Sequence, residues 1–206
     1  MTAARPRLVL ASGSAVRARL LKDAGLDPLI DPAHVDEPAV EADCRARGDD
    51  TPAIALALAE AKAAAVSRRH PGALVLGADQ MLDCEGNSLR KPENRAGAAA
   101  TLRRLAGRAH RLIAGICLVR DGACLWRHGD VAALTMRPLD DAAIAAYLDR
   151  AGDGVLASVG AYQLEGLGSQ LFDRIEGDYF TILGLPLLPL LAALRAQDIR
   201  ADGLLI

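Results

Sequence analysis

The stretch Leu8-Val-Leu-Ala-Ser-Gly-Ser-Ala-Val-Arg-Ala-Arg-Leu-Leu-Lys22 changes its hydrophobic period within three residues. A continuous apolar run, Leu8 to Ala11, stops at Ser12-Gly13-Ser14 and becomes a helical pattern from Ala15 to Ala24, closed by Gly25. This strand-to-helix handover leaves unpaired backbone N–H groups, two serine hydroxyls and the guanidinium groups of Arg17 and Arg19 at one point, a combination that suits an anion such as phosphate. Taken alone, it is more simply an ordinary βα connection in which Ser14 caps the helix and the arginines are solvated, since caps of this kind are common. The loop alone does not separate the two.

The alternation continues along the chain. Residues 26–50 are rich in Asp, Glu and Pro and read as irregular, with a short strand near Pro28 to Ile30. Thr51 reads as the N-cap, with Pro52 at the first helical position, of an alanine-rich helix that carries Glu60 and Lys62 and runs to about Arg69. Pro71-Gly72 breaks it, and Ala73 to Ala78 is a second buried strand ending in Asp79-Gln80. A polar Gly-Asn loop leads to Lys91-Pro92, and a helix from about Asn94 to Ala106 stops at Gly107. Strands at about 109–119 and 123–136 are joined by Asp121-Gly122, a hairpin dipeptide. A helix starts at Leu139-Asp140-Asp141 and reaches about Arg150. Residues 151–168 read as loop with a short extended piece, Ser169 to Ile175 as helix, and Gly184-Leu185-Pro186 introduces a last helix. Strands alternating with helices, plus one hairpin, predict an α/β fold with a mixed sheet. No repeat or low-complexity linker divides the chain, so residues 1–206 read as a single domain.

Composition narrows the function classes. With 206 residues, 51% of them hydrophobic, the chain can bury a large core without staples. A formal net charge of −2 and 3% aromatic residues give neither a basic field nor a stacking surface for nucleic acid. Cys44, Cys84, Cys117 and Cys124 form no CxxC pair, and the histidines have no zinc-ligand spacing, so free thiols in a reducing cytoplasm are expected. There is no signal-peptide h-region, and the longest apolar-rich stretch, Thr181 to Leu194, is interrupted by Pro186 and Pro189. A membrane partner is not expected.

Several residues carry possible chemistry. Asp79 sits at the end of an apolar strand, where a buried carboxylate is unfavourable without a charged partner, a metal or donors, and where open α/β sheets place ligands. It is a candidate metal ligand or general base, and in isolation it is as well explained as a turn cap. Asp36-Glu37 adds two carboxylates suited to a hard cation. Lys62 and Lys91 are single cations, and Pro92 holds Lys91 extended. Gly166-x-Gly168 lacks the third glycine of a dinucleotide motif because Leu171 occupies that place, and neither a Walker A sequence nor GxSxG is present.

Taken in order, these blocks resemble the Maf family of nucleoside triphosphate pyrophosphatases. Ala11-Ser12-Gly13-Ser14 with Arg17 and Leu20-Leu21 resembles the family's opening motif, and Asp36-Glu37 its acidic pair. Ala61-Lys62-Ala63, Gly77-Ala78-Asp79-Gln80, Lys91-Pro92, Gly160-Ala161-Tyr162, Glu165-Gly166-Leu167-Gly168 and Gly184-Leu185-Pro186 resemble later blocks, so the likeness spans Leu8 to about Leu194. The resemblance implies a Maf/inosine-triphosphatase-like α/β fold: an elongated mixed sheet flanked by helices, with two lobes around an active-site cleft, often in a homodimer. It also implies cleavage of a nucleoside triphosphate to monophosphate and pyrophosphate. Attack at the α-phosphorus needs a held triphosphate, a divalent metal and an oriented water. On this likeness Ser12, Ser14, Arg17, Lys62 and Lys91 bind phosphate. Asp79 is the base, alone or with a metal-ligand role as well, and Glu37 helps to hold Mg²⁺ or Mn²⁺.

The departures bear on substrate. Ala15 replaces the family's proline, and Val16 stands where the dTTP/UTP branch has Arg and the 7-methyl-GTP branch has Trp. Gln80 and Glu165 resemble the 7-methyl-GTP branch, where the other has Thr and Gln. A carboxylate at Glu165 can accept from a guanine-like N1–H and exocyclic amine, whereas Val16 gives no stacking surface for a cationic base. The expectation is a house-cleaning pyrophosphatase closer to the 7-methyl-GTP branch. The alternatives are a dTTP/UTP or broad-specificity enzyme of the same fold and a non-catalytic nucleotide-binding regulator of cell division.

Overall fold

The structure is a computed structural model that describes residues 7–199. Its elements are β1 (Leu8–Leu10), α1 (Ala15–Asp23), β2 (Leu29–Ile30), α2 (Glu37–Ala46), α3 (Thr51–Ser67), β3 (Leu74–Cys84) and β4 (Asn87–Leu89). They continue with α4 (Arg95–Leu105), β5 (Ala109–Arg120), β6 (Ala123–Met136), α5 (Asp141–Ala151), β7 (Phe172–Glu176), α6 (Tyr179–Ile182) and α7 (Leu187–Ala196). Two 3₁₀ turns, Asp153–Ala157 and Leu167–Leu171, lie between α5 and β7. The seven strands form one sheet in the order β2-β1-β3-β5-β6-β7, with β4 paired to β3. β1 runs parallel to β2 and β3, with Val9 opposite Leu29 and Val75, whereas β4 and β7 are antiparallel to their neighbours. The fold is therefore α/β with a mixed sheet, as the alternation of strand and helix signals predicts.

The chain condenses into two compact units, the first running to Asp79 and adding Ala114–Asp130 and the chain from Gly184 onward. In this unit Val9, Ala11, Val75, Cys117 and Val119 pack against Ala59, Ala63 and Val66 of α3. Asp50, one residue before the expected Thr51, caps α3, its side chain accepting from the Ala53 N–H at 2.9 Å, and Pro52 lies in the first turn, where its missing N–H is no loss. The helix lies very close to the sheet. A Cβ on Gly77 would run into the carbonyl of Ala59, and one on Gly115 into the backbone of Ala55. The alanines of α3 thus permit the close approach, beyond favouring the helix.

The second unit comprises Gln80–Ile113 and Val131–Leu183. Leu82, Leu102, Leu105, Leu112, Leu134, Met136, Ile144 and Leu148 form its core between strands and the helices α4 and α5. His110 is buried there, 2.8 Å from the Tyr162 hydroxyl, and burial pushes its pKa down to about 4. The hairpin at Asp121-Gly122 has the expected geometry, with φ of 49° and 79° at its two central residues.

Three expectations are corrected. Residues 37–46 are helical: Asp36 accepts from the Ala39 N–H at 3.0 Å and Pro38 sits in the first turn, so the acidic, proline-containing segment is a helix start. Ser169 to Ile175 is not a helix but the end of a 3₁₀ turn followed by β7, because pairing of Ile175 with Leu134 supplies backbone partners that local propensity does not anticipate. The second strand does not end at Ala78. It continues to Cys84 as β3, and the Gly-Asn loop is the turn of a β3–β4 hairpin. Among the described residues, no helix is long and apolar enough to cross a membrane.

Candidate active site

The first unit gathers most of the residues singled out in the sequence. Ser14 is the N-cap of α1, its hydroxyl accepting from the Arg17 N–H at 3.3 Å. The Ser12 hydroxyl accepts from the Ser14 N–H at 3.3 Å and from Nη1 of Arg17 at 3.0 Å. Arg17 also donates from Nη1 to the Ala78 carbonyl and from Nε to the Gly184 carbonyl, both at 2.8 Å. One guanidinium therefore ties the serine loop, β3 and the segment entering α7 together. Desolvation pulls the Arg17 pKa below the usual arginine value, and the negative charges of Asp79 and Glu37 oppose that shift.

Asp79 lies in the middle of β3 rather than at a strand end, and is buried. Its tolerance there has a direct cause. Nζ of Lys62, on α3, donates to Oδ1 of Asp79 at 2.6 Å and lies 2.8 Å from Oε1 of Glu37. The Lys62 and Asp79 side chains are 12% and 11% exposed, against 47% for Glu37. The pair is thus closed on the sheet side and open at the first turn of α2. The acidic dipeptide divides its work: Asp36 caps the helix while Glu37 faces the ammonium. Arg17 and Lys62 balance Glu37 and Asp79, so these four groups carry no net charge.

The remaining candidates sit as follows. Val16, in the first turn of α1, is half-buried. Gln80, in the second unit, donates from Nε2 to the Thr181 and Ile182 carbonyls, both at 3.0 Å. Lys91 follows β4 and Glu165 lies between the two 3₁₀ turns, both exposed in the second unit. The sequence reading did not find the carbonyl acceptors of Arg17, although it singled out both of the blocks that contain them. Backbone acceptors leave no trace in residue type.

The donor set has the chemistry of a hard divalent cation site. Glu37 and Asp79 already converge on one positive group, and Mg²⁺ is commonly held by one or two carboxylates with substrate phosphates completing its shell. No group of three or more His, Cys, Asp or Glu residues able to hold a metal occurs among the described residues. The residues therefore fit a cation shared with a phosphate ligand rather than one caged by protein.

Residues 7–197 match the family described as Maf-like protein. The chain belongs to the Maf-like family. This Maf-like chain is 56% identical to a nucleoside triphosphate pyrophosphatase of Nitrobacter winogradskyi, over 92% of its own length and 93% of that protein. It is 54% identical to a 7-methyl-GTP pyrophosphatase of Mesorhizobium japonicum, over 92% of its length and 95% of that protein. A 7-methyl-GTP pyrophosphatase of Brucella abortus is 49% identical to it, over 93% of this chain and 96% of that protein. The described core of the Maf-like chain, from β1 to α7, lies entirely within the matched residues.

Proposed function

We propose that this chain hydrolyses nucleoside triphosphates between the α and β phosphates, releasing a monophosphate and pyrophosphate, and that it clears modified or non-standard nucleotides. Relatives named as pyrophosphatases, matched over nearly their full lengths, support the reaction class. The observation that carries the assignment of roles is the convergence of buried Asp79 and open Glu37 on one cation position in the unit that also holds the Ser12–Arg17 loop. Ser12, Ser14 and the amides opening α1 receive phosphate oxygens, with Arg17 as a fixed charge behind them and Lys62 and Lys91 as further cations. Asp79 accepts a proton from the attacking water. Glu37 and Asp79 would hold Mg²⁺ or Mn²⁺, which when bound neutralises phosphate charge and polarises the phosphoryl oxygen.

For the base, Glu165 is the proposed acceptor for a guanine-like edge. Gln80 has its Nε2 engaged by two carbonyls, so any reading of the base by this side chain falls to Oε1. Together they favour a modified purine such as 7-methyl-GTP. Val16 favours a second reading, a dTTP/UTP or broad-specificity enzyme, because it supplies no aromatic surface. We also propose a cytoplasmic homodimer, and the free thiols of Cys44, Cys84, Cys117 and Cys124 support the reducing compartment.

The deciding experiment is pyrophosphate release from 7-methyl-GTP, GTP, dTTP and UTP with Mg²⁺ or Mn²⁺. Turnover is expected, with 7-methyl-GTP ranked first, and Asp79→Asn should lower the rate at least about 100-fold. Absence of turnover on every nucleotide, or full activity of Asp79→Asn, overturns the reading. A ranking led by dTTP and UTP selects the second one.

A further inference from the structure

We infer that Lys62 occupies the cation position between Glu37 and Asp79 until a nucleotide draws it away, so that a divalent metal binds this chain in step with a triphosphate and only weakly without one. The inference rests on the pyrophosphatase reading for the identity of the ligands, and on the position of one ammonium group for its mechanism.

Nζ of Lys62 is 2.6 Å from Oδ1 of Asp79 and 2.8 Å from Oε1 of Glu37. These are charge-assisted distances. A Mg²⁺ or Mn²⁺ ion bound to the same two oxygens would lie about 2.0–2.2 Å from each, which brings it into the space Nζ now fills. Two cations do not share that space, and with side-chain exposures of 12% and 11% at Lys62 and Asp79 there is little solvent to screen their repulsion. Nor do the four charged groups around the position, two positive and two negative, leave a residual negative charge to recruit a free dication.

A triphosphate changes both conditions, because it adds negative charge and offers the ammonium new acceptors. Lysine suits such an exchange: its charge sits on a flexible four-carbon stem with three rotatable donors, so Nζ can move while its Cα stays fixed. The Cα is fixed here by α3, which Gly77 and Gly115 allow to lie directly on the sheet. Glu37, half-exposed at the first turn of α2, is the side from which the incoming groups reach the pair. Since binding linkage is reciprocal, the factor by which nucleotide tightens metal equals the factor by which metal tightens nucleotide.

The test is calorimetric titration of Mn²⁺ into the intact protein, with and without a non-hydrolysable α,β-methylene triphosphate. In wild type the analogue should tighten Mn²⁺ at least about tenfold. Lys62→Met should bind Mn²⁺ alone at least about tenfold tighter than wild type, with most of the coupling to the analogue lost. Equal Mn²⁺ affinity with and without the analogue in wild type overturns the inference, and so does a folded Lys62→Met that binds Mn²⁺ no tighter than wild type. Should Lys62→Met not fold, the two wild-type titrations decide by themselves. Pyrophosphate release distinguishes the two levels. Turnover with uncoupled Mn²⁺ binding removes the inference and leaves the enzyme, whereas no turnover removes the enzyme while the comparison of Mn²⁺ alone on wild type and Lys62→Met still reads the competition.

Discussion

Arg17 shows how one side chain can define a loop. Its hydrogen bonds reach the Ser12 hydroxyl and the carbonyls of Ala78 and Gly184, groups far apart in sequence. Arg17→Met would strand the carbonyls of Ala78 and Gly184, while the Ser12 hydroxyl keeps the Ser14 N–H, and buried groups left without partners are each worth about 1–3 kcal/mol. Since water reaches part of this half-buried site, the expected loss is about 2–4 kcal/mol in urea unfolding, together with weaker nucleotide binding. His110 gives a pH-dependent counterpart. Its folded pKa of about 4 lies below the unfolded value of about 6.5, so the unfolded chain binds more protons within that window. The stability tied to neutral His110 is therefore full above about pH 6.5 and is lost as pH falls towards 4. The urea midpoints of wild type and His110→Gln should converge over that range. Parallel curves would show that His110 is not held neutral. At this scale the sequence was informative about which residues matter and less so about what they touch. Ser14 as a cap followed from its own position, whereas the Lys62–Asp79 pair joins a helix to a strand and had no local signature.

Among the elements, α3 decides the most. It carries Lys62, and the distance between its axis and the sheet sets where Nζ lies. Gly77→Ala would drive a methyl group into the Ala59 carbonyl and the Ala63 side chain. Overpacking of this kind costs typically about 1–3 kcal/mol, and a backbone obstacle puts this case at the upper end. A lower Tm and reduced pyrophosphate release are expected together, since lifting α3 also shifts Lys62 from Asp79. An unchanged Tm would mean that the helix has room to move. The elements missed or misread in the sequence have clear physical reasons. In α2, acidic residues and a proline suggested a loop although Asp36, Glu37 and Pro38 are helix-start chemistry. In β7, pairing with β6 overrides local preference.

On the scale of the molecule, the α/β class and the mixed sheet were legible because period and turn chemistry are local properties. Two lobes followed only from the family resemblance, and the segments that make up each compact unit were not legible, because they depend on which parts of β3, β5 and β6 pack with which helices. All three of these strands run from one unit into the other without a linker. We expect a single unfolding transition, with calorimetric and van't Hoff enthalpies equal; two resolved transitions would show that the units melt independently. In β3 the change of unit falls between Asp79 and Gln80. Neighbouring residues of a strand project to opposite faces, so β3 has a fixed reading frame: the count of residues from Leu74 to Asp79 determines which face receives the carboxylate. Deleting one residue from that span would keep every functional group in the chain and send it to the wrong side of the sheet. Variation in length can therefore accumulate in the loops of this protein, but not in the run that leads to Asp79.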